Sequence, residues 1–171
     1  MCRQCGAELF PVDVGMVTDT KVRTDLKVAY GTRNMTREPA MTRDQAIRGI
    51  EAGIAMAEEL KEKGYQVLAT GEMGIGNTTT SSAVAAVLLG KPVEDMTGRG
   101  AGLNDAGLLR KQQVIAQALE KYEKEIRSAH ALSMLAAFGG LDIAGMAGVC
   151  IGGALYHVPV VLDGLISSVA A

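Results

Sequence analysis

Tryptophan is absent from this 171-residue chain, and only six aromatic side chains are present, four tyrosines and two phenylalanines. So few rings leave little with which to stack nucleobases. Excess charge is lacking too: 17 basic against 19 acidic residues give a net charge of −2, without the basic footprint of a nucleic-acid binder. Nucleic acid is therefore not an expected partner. Long apolar runs are also missing. The most apolar stretch, Leu141 to Leu155, contains Asp142 and is followed by His157. It falls short of the ~20 apolar residues that a spanning helix needs, so no membrane is expected. The N-terminus has no apolar core of roughly 7–15 residues behind a basic start, and the cytoplasm is the expected location.

Cysteine and histidine are scarce, three and two residues. Cys2 and Cys5 form a CxxC, and Cys150 stands alone. A zinc site wants a second pair of ligands, and neither His130 nor His157 falls into a recognised spacing. A redox CxxC belongs at a helix start after a strand, not at residue two. No metal and no cofactor is expected.

What the chain does have is glycine, 21 residues, punctuating segments of alternating type. The length suits one domain, residues 1–171. Glu8 to Val14 reads as a strand, with Pro11 placing it near an edge. A basic, glycine-containing loop over Val22 to Asn34 holds a short strand near Val28. Thr42-Arg43-Asp44-Gln45 is a capping-box pattern. It opens a helix to about Lys63 with the stripe Ile47, Ile50, Ile54, Ala57 and Leu60, stopped by Gly64. A strand over Tyr65 to Thr70 follows, then helices over 77–89, 105–122, 128–138 and 142–156. The small residues of the last (Ala144, Gly145, Ala147, Gly148, Gly152, Gly153) predict a helix packed tightly on all sides. Val158 to Leu162 is a buried strand. The class is α/β: a parallel sheet flanked by helices in a Rossmann-like three-layer arrangement, with ligands at the carboxyl ends of the strands.

Two glycine clusters sit where such a ligand belongs. Gly71-Glu72-Met73-Gly74-Ile75-Gly76-Asn77-Thr78-Thr79-Thr80 joins a strand to a helix. Glycine permits close backbone approach, and a helix start offers free N–H groups to an anion. The spacing is GxxGxG, neither the dinucleotide fingerprint nor a Walker loop, so a phosphate cradle and a plain connector both remain open. A carboxylate beside phosphate is repelled, which aims Glu72 at a sugar hydroxyl or a cationic ring. In the second cluster, Met96 to Asp105, alternating glycines surround Arg99. The helix behind it carries the stripe Leu108, Ile115, Leu119 and Tyr122, and Lys111 projects from that stripe. Such a lysine either snorkels to water or meets an anion. Asp163-Gly164 and Asp13-Val14-Gly15 each read as a turn or as a ligand contact.

GEMGIGNTTT, with TGRGAGL and LLRK behind it, resembles nicotinate-nucleotide–dimethylbenzimidazole phosphoribosyltransferase, which builds the lower-ligand nucleotide of cobalamin. Val12-Asp13-Val14-Gly15, Gly31-Thr32-Arg33-Asn34-Met35-Thr36, Pro39-Ala40-Met41-Thr42, Phe138-Gly139-Gly140-Leu141-Asp142-Ile143-Ala144 and Val160-Val161-Leu162-Asp163-Gly164 are similar to the family pattern in the same order. Nearly the whole chain is covered. The resemblance implies transfer of phosphoribosyl from nicotinate mononucleotide to 5,6-dimethylbenzimidazole, giving α-ribazole phosphate, by a homodimer. It implies a substrate site of Glu72, Met73, Gly74, Ile75, Gly76, Asn77, Thr78, Thr79, Arg99, Gly100, Lys111, Asp163 and Gly164. Within it Gly74, Gly76, Asn77, Thr78, Gly100 and Lys111 clamp the phosphate.

The chain also departs from the family. It resembles the middle of a sequence about twice as long, so the fold is expected to be incomplete relative to the family. The family's general base is a glutamate in a Gly-Glu-Gly context, and that triplet does not occur here. No catalytic residue is therefore assigned. Two alternatives stand beside the transferase. One is a non-catalytic phosphate-binding fragment, or one piece of a split enzyme. The other is a phosphoribosyl-pyrophosphate-dependent transferase, whose paired acids after an apolar strand are matched by Asp163 alone.

Overall fold

The computed structural model describes residues 2–127 and 130–171. Eight α-helices and two short strands follow one another among them. The order is α1 (Arg43–Glu62), β1 (Leu68–Ala69), α2 (Thr78–Leu89), α3 (Val93–Met96), α4 (Asp105–Lys121), α5 (Glu123–Arg127), α6 (Ala131–Phe138), α7 (Leu141–Leu155), β2 (Val160–Val161) and α8 (Leu165–Ala170). The α/β class holds, with a small parallel sheet. Leu68 is in register with Val160, and Ala69 with Val161. Bonds from Leu68 N to Pro159 O (2.9 Å) and Thr70 N to Val161 O (3.1 Å) extend the ladder at both ends.

The expected strands over 8–14 and near Val28 do not form among the described residues. One parallel bridge joins Val12 and Arg23, and single bonds run from Val28 N to Val14 O and from Gly31 N to Gly15 O. A buried ion pair organises this region instead. Asp13 is 2% exposed, and its carboxylate accepts from Met16 N, Thr20 Oγ1 and Lys27 Nζ at 2.7, 2.8 and 3.0 Å. Burial alone would raise the Asp13 pKa, but those bonds outweigh it and hold the carboxyl below its usual value. Of the two readings of Asp13, the structure shows the turn.

The capping box that opens α1 is present: Gln45 N donates to Thr42 Oγ1 at 3.1 Å and Thr42 N to Gln45 Oε1 at 2.9 Å. The buried face of α1 is rotated from the predicted stripe. Ala46, Gly49, Ala52, Gly53, Met56, Ala57 and Leu60 are buried, whereas Ile47, Ile50 and Ile54 are half-buried. The cause is α7. A Cβ on Gly53 would lie 1.9 Å from Gly145 O, and one on Gly148 would lie 2.0 Å from Ile50 O. The two backbones touch, so glycine and alanine line the seam and the bulky isoleucines flank it. Side-chain hydrophobicity does not register a contact made by missing side chains. The expectation that α7 is enclosed on every side is corrected likewise. It is buried through its first half, but Ile151 and Leu155 are 44% and 59% exposed.

The helices α2, α4 and α6 follow the sequence closely, whereas the short α3 and α5 are not expected from it. α2 ends on Gly90 in the left-handed conformation, and α4 starts under an Asn104 cap that accepts from Gly107 N at 2.9 Å. α6 ends at Gly139 as expected, while the first two residues of the helix predicted over 128–138 lie outside the described residues. α2, α4 and α6 enclose a core around Ile115, Phe138 and Tyr122, in which the Tyr122 and Phe138 rings meet edge to face at 5.5 Å. A second core joins α1 to the sheet through Met56, Ala57, Leu60, Leu68 and Val158. No helix among the described residues is long and apolar enough to cross a membrane.

A methyl group forced between the backbones of α1 and α7 must separate them. Gly53→Ala is expected to cost about 3 kcal/mol in urea unfolding, the upper end for overpacking. Gly98→Ala, which meets nothing within 4 Å, is expected to stay within about 0.5 kcal/mol of wild type.

Candidate functional site

Parallel pairing of β1 with β2 sends both strands out on the same edge of the sheet. The glycine-rich turn after β1 and Asp163-Gly164 after β2 therefore leave from neighbouring points. Within that turn Gly74 and Gly76 take φ of +73° and +83°, a region costly for side-chain-bearing residues. Glu72 closes the turn on itself, its Oε2 accepting from Gly74 N and, at 2.7 Å, from Asn77 Nδ2. Asn77 opens α2, yet its side chain makes no cap bond to the helix. Its Nδ2 also donates to Asp142 Oδ2 at 2.7 Å. Met73 and Ile75 are 83% and 77% exposed at the tip of the turn.

The second glycine cluster packs against the start of α2. Gly100 has φ +56°, and a Cβ there would lie 2.8 Å from Thr78 Oγ1 and 3.6 Å from Lys111 Nζ. The Lys111 side chain does not snorkel to water. It is 6% exposed and donates to Thr78 Oγ1 and Gly98 O, both at 3.0 Å. Among the described residues no carboxylate forms an ion pair with it. Two neutral oxygens compensate a buried ammonium only in part, and desolvation lowers its pKa. An anion arriving between the two glycine turns would supply the missing countercharge.

The geometry thus joins residues 72–79, Gly100 and Lys111. Arg99 turns to its own loop, donating to Leu103 O at 2.9 Å and pairing with Asp105. Asp163 is exposed, and Gly164 N donates to Ser167 Oγ at 2.9 Å to start α8. Asp142 is the residue that sequence reasoning missed. Its contact with Asn77 spans 65 positions, and an acid in the first turn of a helix is ordinary local chemistry. A shallow apolar groove of about 490 Å³ opens elsewhere, between α7 and β2, lined by Cys150, Gly153, His157, Pro159 and Leu162 among others. Cys150 and His157 are the side chains with polar atoms on its lining. The described residues hold no group of three or more His, Cys, Asp or Glu side chains placed for a metal ion.

A family model described as phosphoribosyltransferase matches residues 1–171. The protein named nicotinate-nucleotide–dimethylbenzimidazole phosphoribosyltransferase from Chloroflexus aggregans is 48% identical over 174 residues, covering 100% of this chain and 49% of that one. The protein of the same name from Clostridium acetobutylicum is 45% identical over 173 residues, covering 99% and 48%. The crystal structure of CobT from Thermus thermophilus matches with a TM-score of 0.86 at 34% identity, over 99% of this chain and 51% of that one. The chain belongs to the nicotinate-nucleotide–dimethylbenzimidazole phosphoribosyltransferase family. It spans about half the length of the curated relatives it matches.

Burial of Lys111 has a pH signature. A folded-state pKa below the ordinary 10.5 means that the native state sheds its proton first as pH rises. The unfolded chain then binds more protons, so stability climbs with pH between the folded pKa and 10.5. Below that window the penalty of the buried charge is present in full. In denaturant titrations from pH 7 to 10.5, wild type is expected to gain stability relative to Lys111→Met as pH rises. A constant difference would refute a buried, proton-shedding lysine.

Proposed function

We propose that this chain carries the donor side of a phosphoribosyl transfer, holding nicotinate mononucleotide for attack by 5,6-dimethylbenzimidazole. The observation that carries the reading is Lys111: a buried ammonium without a carboxylate partner among the described residues, seated where two glycine turns converge at the start of a helix. A phosphate placed there would meet Lys111, the Thr78 hydroxyl and the turns around Gly74, Gly76 and Gly100. Asn77, Thr79, Asp163 and Gly164 border the same edge, and Met73 and Ile75 offer apolar surface to a ring. Arg99 would join only after leaving Asp105.

The transfer breaks the bond between the anomeric carbon and the pyridinium nitrogen of nicotinate. The bonding pair goes to that nitrogen, so nicotinate leaves with a neutral ring and no metal is needed to assist it. A benzimidazole nitrogen attacks from the opposite face, inverting the carbon, and its ring N–H proton passes to a base. Positive charge grows on the ribose as the bond loosens. The Glu72 carboxylate, set among glycines, is suited to stabilise it. Phosphate at the lysine end and cation at the carboxylate end match the two ends of the donor.

The acceptor side is a separate matter. The resemblance puts its base in a Gly-Glu-Gly triplet that these 171 residues do not contain. General-base assistance is worth about 10²–10⁴ in rate, and positioning of the acceptor about 7–11 kcal/mol of barrier. We infer that residues 1–171 alone bind donor and complete transfer poorly, the small sheet being part of a Rossmann-like three-layer whole. The free thiols Cys2, Cys5 and Cys150 suit the reducing cytoplasm. Exposed apolar side chains at Leu155, Val161 and Leu165 suit a homodimer, since broad apolar patches are usually covered.

Calorimetry with nicotinate mononucleotide is expected to show binding that Lys111→Ala weakens at least about tenfold, the loss of one charge-assisted contact. Equal affinity would remove Lys111 from the site. Chromatography after adding dimethylbenzimidazole is expected to show no α-ribazole phosphate, and turnover within about tenfold of a full-length relative would show that this chain holds its own base. Light scattering at tens of micromolar is expected to give a mass above that of the monomer. A monomeric mass would contradict the homodimer.

A further inference from the structure

We propose that Asp142 is a positioning residue of the donor site: it holds the Asn77 amide so that Glu72 can leave that amide for the bound donor. The inference rests on the reading of this site as a donor site. Asn77 is 8% exposed and its Oδ1 has no hydrogen-bond partner among the described residues. The orientation of its amide is therefore set at the nitrogen alone, by two carboxylates, Glu72 and Asp142. Asparagine at a helix start ordinarily caps the helix. Here it makes no cap bond, because its side chain is drawn to those two acids.

The two acids are held differently. Glu72 lies in a glycine turn, where a small backbone change redirects it. Asp142 lies in the first turn of α7, whose backbone is locked against α1. Gly140 makes room for the Asp142 carboxylate, since a Cβ there would lie 2.4 Å from its Oδ1. Asp142 is thus the fixed acceptor of the Asn77 amide and Glu72 the exchangeable one. Without Asp142, a Glu72 that turned to the ribose would strand a buried amide, and an unpaired buried donor is costly. Donor binding would then compete with the pairing of Asn77. Inorganic phosphate, held at the Lys111 end, makes no demand on Glu72 and escapes that competition.

The test measures two ligands, nicotinate mononucleotide and inorganic phosphate, by calorimetry on the 171-residue chain. Asp142→Ala is expected to lose about tenfold in nucleotide affinity, the worth of one such bond, with phosphate affinity unchanged. Asp142→Asn, whose carbonyl oxygen still accepts, is expected to restore most of the loss. Gly140→Ala, which displaces the carboxylate without removing it, is expected to reproduce the selective loss and stands in should Asp142→Ala fail to fold. Unchanged nucleotide affinity in Asp142→Ala and Gly140→Ala overturns the inference. So does a parallel loss of both ligands, which marks a purely structural role. Wild type that binds neither ligand overturns the donor-site reading itself.

Discussion

The contact on which most of this molecule depends is made by atoms that are not there. Along the seam between α1 and α7 the missing Cβ atoms of Gly53 and Gly148 let the two helix backbones touch. Close backbone approach exchanges side-chain burial for dispersion contacts along the helices, and it tolerates no added methyl group. The seam fixes where α7 begins. That placement brings Asp142 to Asn77, and the other end of α7 leads into β2 beside β1. The site is thus built on a closely packed pair of helices and on turns in which Gly74, Gly76 and Gly100 hold positive φ.

Around the turns the charges are sorted by sign. Glu72 and Asp142 meet on one amide, while Lys111 lies at the Gly98–Gly100 turn with only neutral oxygens for company. Each end is electrostatically uncompensated by itself. Desolvated lysine favours an anion, and a pair of carboxylates favours a positive centre or hydroxyl donors. The proposed donor, with phosphate at one end and a pyridinium-substituted ribose at the other, would satisfy both ends at once. A purely structural ion pair would have put opposite signs in contact, as Asp13 and Lys27 do.

Local chemistry made much of the chain legible from its residues. Thr42 and Gln45 announced α1 through a capping box that needs only four neighbouring positions. Gly64 and Gly139 marked helix ends as expected, and Lys111 stood out because a charge on an apolar stripe demands an explanation. Strands were read less well. Glu8 to Val14 has strand-like composition, but pairing requires a partner backbone, and the chain offers it one bridge at Val12 and a buried ion pair at Asp13 instead.

The sequence by itself determined the family, the helices α1, α2, α4, α6 and α7, the two glycine turns and a lysine on an apolar stripe, since each rests on residue types and their spacing rather than on contacts between distant segments. Tertiary structure alone decided which face of α1 is buried, that Arg99 turns away to Asp105, that Lys111 stays inside with Thr78 and Gly98, and that Asp142 meets Asn77. Each of these is a contact between residues distant along the chain, or a choice among partners equally available in composition. Distance in space is set by how the helices pack, and here they pack through glycines whose absent side chains carry no hydrophobic signal to read.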